Sequence, residues 1–184
     1  MRDNHKFEEP LMKSPWLIAA ALVTVSAGPA FAQASAPVNC KTDPAFAQMD
    51  FALGHWDVTA NGEKDAEVRI EKILDDCAIG ETWKAVKPKG DGRGLFVYSA
   101  PMQSWSYLWA ANTPSTTGFK GSATKPGEIL FSTVKPLPNG VMRLRHWTLN
   151  LLPDGRIREL SVGSNDDGKT WTNEYELFWT KKPQ

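Results

Sequence analysis

From residue 55 onward, apolar and polar positions along the chain alternate with a period of two. Trp56 and Val58 alternate ahead of an Asn61-Gly62 turn; Ala66, Val68 and Ile70 then alternate with Glu67, Arg69 and Glu71. Ile79, Glu81, Trp83 and Ala85 share one face of a third segment, and a Gly-, Pro- and Lys-rich loop follows at 87–94. Leu95, Val97 and Ser99 alternate with Phe96, Tyr98 and Ala100, a pattern that predicts a strand covered on both faces. Trp105, Tyr107 and Trp109 form an aromatic ladder on one face of the next. A weaker segment lies at 118–123, a stronger one at 128–134, and three more at 141–149, 156–164 and 172–180. Period two places successive side chains on opposite faces of a strand. Turn clusters such as Pro138-Asn139-Gly140 and Pro153-Asp154-Gly155 separate the segments.

Only the stretch before residue 55 has helical spacing. Asp43 is a good N-cap, Pro44 suits a first helical position, and Phe46, Met49 and Leu53 follow on one side until Gly54. A short helix that closes one end is expected. With no long helical segment between strands, parallel crossovers are excluded and neighbouring strands should pair as hairpins. The predicted fold is all-β: an antiparallel barrel of about 8–10 strands, closed so that no edge is left, over residues 43–184.

The first residues change the picture from fold to compartment. Lys13 precedes an apolar run over 16–25, and Ala30-Phe31-Ala32 supplies small residues around a cleavage point. That layout predicts a secretory signal over 1–32, with Met12 an alternative start, because Asp3, Glu8 and Glu9 sit oddly ahead of it. A run this short falls below the roughly 20 residues of a membrane span, so no stable membrane insertion is expected after cleavage. Residues 33–42 read as a flexible lead. The expected location is periplasmic or secreted.

Composition narrows the function classes. The chain has 21 basic and 21 acidic residues, and both kinds fall equally on the two sides of residue 33, which argues against nucleic acid as a partner. Seven of the eight Trp lie after residue 32, enough large rings to suggest an aromatic-lined core or cavity. Cys40 and Cys77 are the only cysteines, so export permits one pairing, a disulfide. Their separation, with no His nearby, lacks zinc-site spacing, and no metal or cofactor is expected.

Candidate chemistry is sparse. Glu81 lies two residues from Trp83, while Arg143 and Arg145 alternate with Trp147. If the Trp faces point inward, these charges enter the barrel and must pair with one another or with a ligand; the other reading leaves the arginines outside, solvated. His146 has the opposite parity, and its reading as a haem ligand stands below that of an ordinary strand histidine. Gly-x-Ser-x-Gly, His-Glu-x-x-His and phosphate-cradling glycine motifs are absent. Ser164-Asn-Asp-Asp-Gly-Lys-Thr-Trp171 resembles the Asp-box hairpin of sialidases, read as a turn device because sialidase propellers carry several copies. Gly54-His-Trp56 has the G-x-W form found at the first strand of lipocalins, with Trp56 closing the barrel floor.

These pieces combine into a broader resemblance. Phe51-Ala-Leu-Gly-His-Trp-Asp-Val58, Ile73-Leu-Asp-Asp-Cys-Ala-Ile-Gly-Glu-Thr-Trp83, the segment 105–112, Pro153-Asp-Gly155 and the Ser164–Trp171 motif resemble, in order, bacterial secreted domain-of-unknown-function proteins of the lipocalin-like, or calycin, group. The resemblance covers nearly all of 40–181. It implies a barrel with a central cavity, supports a Cys40–Cys77 bridge, and carries no established activity. Asp76 departs from the usual Gly before the cysteine, and Ser106-Tyr107 from a common polar pair.

Three functions follow as expectations. The first is binding of a small apolar or amphipathic molecule by Trp83, Tyr107, Trp109 and Trp147, with Glu81 and Arg145 as orienting groups. The second is a cofactor-independent isomerase, cyclase or lyase in the same cavity, with Glu81 as acid or base and Tyr107 and Arg145 stabilising negative charge. The third is a structural module whose barrel is filled by its own side chains.

Overall fold

The computed structural model describes residues 38–86, 90–114 and 116–183. The signal segment, its Met12 alternative and the first part of the lead lie outside them. Ten strands follow one another: β1 (Gly54–Ala60), β2 (Glu63–Ile73), β3 (Ala78–Ala85), β4 (Gly92–Ser99), β5 (Ser104–Ala111), β6 (Thr116–Lys125), β7 (Glu128–Pro136), β8 (Met142–Leu151), β9 (Ile157–Ser164) and β10 (Thr172–Lys181). Each pairs antiparallel with the next, and β1 also pairs with β10, closing the barrel. The all-β architecture and its meander are those the alternation predicted, at the upper end of the expected strand number.

The helical spacing before Gly54 yields two short 3-10 turns, Pro44–Ala47 and Asp50–Ala52, in place of a continuous helix. Asp43 caps the first by accepting from the Ala45 N–H at 2.9 Å. Phe46 and Met49 are buried, and Trp105 donates its indole N–H to Gln48 at 2.9 Å. Trp56 donates to the Ala52 carbonyl at 2.9 Å, so the turns plug this end and Trp56 forms its floor. Gly54 has φ +133°, and a Cβ there would press on Lys181, which accounts for the glycine ahead of the tryptophan.

Above the plug, rings fill the lumen. Phe96 stacks on Tyr107 at 4.2 Å, Tyr107 lies 4.8 Å from Trp147, and Phe131 stacks on Trp147 at 5.1 Å. Inward glycines make room for them: a Cβ at Gly121 would enter the Phe131 ring. The weak pattern around 118–123 has that origin, for Gly121 faces the Phe131 ring across the sheet, and β6 extends two residues beyond it in each direction.

Cys40 and Cys77 form the disulfide, with Cα atoms 5.0 Å apart, at the plugged end. The turn before Cys77 carries three successive positive-φ residues, Leu74, Asp75 and Asp76. One expectation is corrected. The strand over 92–99 is covered only on its inner face: Leu95 and Val97 point outward and are more than a third exposed, as are Leu108 and Val134. A closed barrel is a single layer, and among the described residues nothing packs outside that stretch.

Candidate functional site

Antiparallel order puts the ends of odd-numbered strands and the starts of even-numbered ones at the end away from the disulfide. There the lumen opens into a cavity of about 440 Å³. Trp83, Tyr107, Trp109, Trp147, Glu81 and Arg145 all line it, together with Phe119, Glu159, Tyr175 and Leu177. The six residues singled out from the sequence are thus brought to one site, and both Arg145 and Glu81 face inward.

Strand β4 contributes little bulk of its own, which shapes the wall. Gly94 lies opposite Glu81 on β3 and Trp109 on β5. A Cβ on Gly94 would overlap the Glu81 carboxyl and the Tyr107 ring, and one on Gly92 would overlap Trp109. The two glycines form a trough in which these side chains lie. Trp109 meets Trp83 edge-on at 6.3 Å.

Glu81 is only 4% exposed, and the Tyr107 hydroxyl donates to its Oε2 at 2.7 Å. Burial raises its carboxyl to about 8; the Tyr107 hydrogen bond opposes that shift and the charge of Glu159 adds to it. Burial likewise pushes the Tyr107 hydroxyl well above its ordinary range, with Glu81 reinforcing the shift.

Pattern reading missed the second half of the polar lining. Glu159, on β9, is buried and accepts from the indole N–H groups of Trp147 at 2.7 Å and Trp179 at 2.9 Å. Burial raises its carboxyl, against these donors and Tyr175. Glu174, on β10, binds the guanidinium groups of Arg143 and Arg145, the latter at 2.5 Å, and accepts from the Ser161 hydroxyl at 2.9 Å. Burial works against its charge, but Ser161 and the two arginines together hold it below the usual carboxylate range. The expected pairing of the arginines with Glu81 is therefore replaced by pairing with Glu174.

These residues carried weak signals. On β9 the inward set is Ile157, Glu159, Ser161 and Gly163, while the more apolar Leu160 and Val162 face out, so hydrophobicity alone favours the wrong parity. Glu174 sits where the β9–β10 register shifts between Asn173 and Tyr175. The irregularity lets adjacent Glu174 and Tyr175 both serve the lumen, which strict alternation forbids. A Cβ at Gly163 would collide with the Glu174 carboxyl, and that glycine was the one available hint.

The β9–β10 connection behaves as a turn device. Asp166 accepts from the Thr170 N–H at 2.9 Å and its hydroxyl at 2.6 Å, and these bonds lower its carboxyl to about 2. Gly168 takes φ +85°. Trp171 stacks on His146 at 4.3 Å, so it covers β8. His146 thereby lies outside the barrel, away from the cavity.

No protein-family model matches the chain, and no curated protein matches it at a significant level.

Proposed function

We propose that this is an exported envelope protein, periplasmic or secreted, whose barrel binds a small, partly apolar molecule at its open end. The resemblance to the calycin group belongs to this proposal. The observation that carries it is the cavity of about 440 Å³, walled by Trp83, Tyr107, Trp109, Phe119 and Trp147, with Asp65, Glu81, Arg145 and Glu159 as the charged groups of its lining. Such volume and lining are those of small-molecule sites. Filling by its own side chains describes only the plugged half of the barrel.

The test uses an apolar fluorophore and the protein's own tryptophans. Binding should quench Trp emission, and Trp109→Ala should weaken it by about 1–3 kcal/mol, the value of a large buried apolar contact, while the circular dichroism of the barrel persists. Absence of quenching by any apolar probe refutes the binding reading.

One observation favours the enzyme reading beside it: Glu81, at about 8 and hydrogen-bonded to Tyr107, can hold or give a proton near neutrality. The Tyr107 hydroxyl is engaged by Glu81, and the Nε of Arg145 by Glu174 and Ser161, which leaves these groups less free for oxyanion work. Glu81→Gln separates the two: a binder keeps its affinity for the fluorophore, and an enzyme keeps binding but loses turnover.

A further inference from the structure

The charges around the cavity do not all find partners within the barrel. Glu174 engages both Arg143 and Arg145. Arg145 also donates to Ser161 at 2.9 Å, and its guanidinium lies 5.5 Å from the centre of the Tyr175 ring. Both arginines thus have a carboxylate counter-charge in Glu174, which offsets their pull on an anionic ligand. Glu159 is satisfied on both oxygens by indole donors. Glu81 differs: among the described residues it has one hydrogen bond, from Tyr107 to Oε2, and no ion pair, although it is almost wholly buried and lines the cavity. A carboxyl with one oxygen free of hydrogen bonds among the described residues, set in an aromatic wall, is an arrangement that a cation completes. The ring faces of Trp and Tyr attract positive charge, most strongly where water is excluded, and the carboxylate supplies the counter-charge.

We propose that the ligand is an organic cation, an ammonium-type head on a small aromatic or alicyclic body, seated between the Glu81 carboxyl and the rings of Trp83, Tyr107 and Trp109. This rests on the binding reading above and names its ligand class. It has a consequence in protons. Unliganded Glu81 holds its proton up to about pH 8; a cation beside it favours the ionised form, so binding expels that proton. The groups that face Glu81 are Tyr107 from β5 and Glu159 from β9, with Asp65 of β2, Arg145 of β8 and Tyr175 of β10 lining the same cavity. Tyr107 and Tyr175 are both pushed above their ordinary range and stay neutral below pH 8. Glu159 is also raised, and its response carries the same sign as that of Glu81.

Three probes on one phenethyl body decide the matter: phenethyltrimethylammonium, its uncharged isostere with carbon in place of nitrogen, and phenylpropanoate as the anion. Each competes against the quenching fluorophore. The permanent cation should bind at least about tenfold more tightly than its isostere at pH 8, and phenylpropanoate most weakly. Cation affinity should rise by up to about tenfold per pH unit from pH 6 and level off above about 8, with calorimetry in buffers of different ionisation enthalpy showing proton release at pH 7. Glu81→Gln should lower the cation-to-isostere ratio toward one. Equal affinity for the cation and the isostere, preference for phenylpropanoate, or a pH-independent cation affinity overturns the proposal while the binding reading stands. If the fluorophore itself fails to bind, the binding reading fails and the ligand class falls with it. Should Glu81→Gln not fold, the pH profile and the probe ratio of the unaltered protein carry the same decision.

Discussion

A single buried carboxyl makes the stability of this protein depend on pH in an unusual direction. Because burial raises Glu81 from an ordinary carboxylate value to about 8, the folded chain keeps a proton that the unfolded chain releases. Stability contributed at this position is therefore full below about pH 4.5, falls as pH rises through the window to about 8, and is flat above it. The fall is at most about 5 kcal/mol, from the separation of the two values at 1.36 kcal/mol per unit. Glu159, raised by the same cause, adds a fall of the same sign. Glu81→Gln keeps an acceptor for the Tyr107 hydroxyl and cannot ionise. Urea denaturation at pH 5 and pH 8 should show a clear loss of stability in the unaltered protein and a smaller one in the variant. An unchanged difference between the two pH values would refute the buried proton.

At the scale of elements, β4 is a spacer as much as a strand. Its inward glycines lie beneath the side chains of β3 and β5, and a methyl group at Gly94 meets both the Glu81 carboxyl and the Tyr107 ring. Gly94→Ala should therefore cost about 1–3 kcal/mol, the range for forcing extra volume into a packed site, and should disturb fluorophore binding. Gly118 on β6 supplies the contrast, since a Cβ there meets nothing within 4 Å. Gly118→Ala should stay within about 0.5 kcal/mol of the unaltered protein, as surface substitutions do. Thermal or chemical denaturation of the pair measures the difference, and equal effects would show that the trough has no steric role. The irregularity in β10 works in the opposite manner, bringing adjacent residues to the lumen where a regular strand offers alternate ones.

For the whole molecule, the division of labour runs along the barrel axis. The disulfide and the 3-10 turns stand at one end, and the cavity opens at the other. The Cys40–Cys77 link closes a loop with a sequence separation of 37, worth about 3–4 kcal/mol in the chain-entropy account. Reduction, or replacement of both cysteines by alanine, should lower the urea midpoint accordingly. The protein that remains folded should bind the fluorophore with unchanged affinity, since the link lies far from the pocket. A midpoint that does not move would show that the link contributes nothing to the stability of the barrel.

Alternation and turn chemistry were enough to determine the strands, the antiparallel order and the plug before Gly54, because each is a short-range property of backbone geometry and of which residues avoid water; the cysteine pairing followed from there being two cysteines. They also marked Trp83, Tyr107, Trp109 and Trp147 as one aromatic face. Tertiary structure alone decided the parity of charged strands: Arg145 faces inward because Glu174 waits across a register shift, and Glu159 faces inward because two indole N–H groups meet it. Such partners are distant in sequence and leave no periodic trace. The same reason hides the setting of Glu81, whose one hydrogen bond comes from Tyr107 on another strand while Glu159 and Glu174 take the neighbouring indole and guanidinium donors.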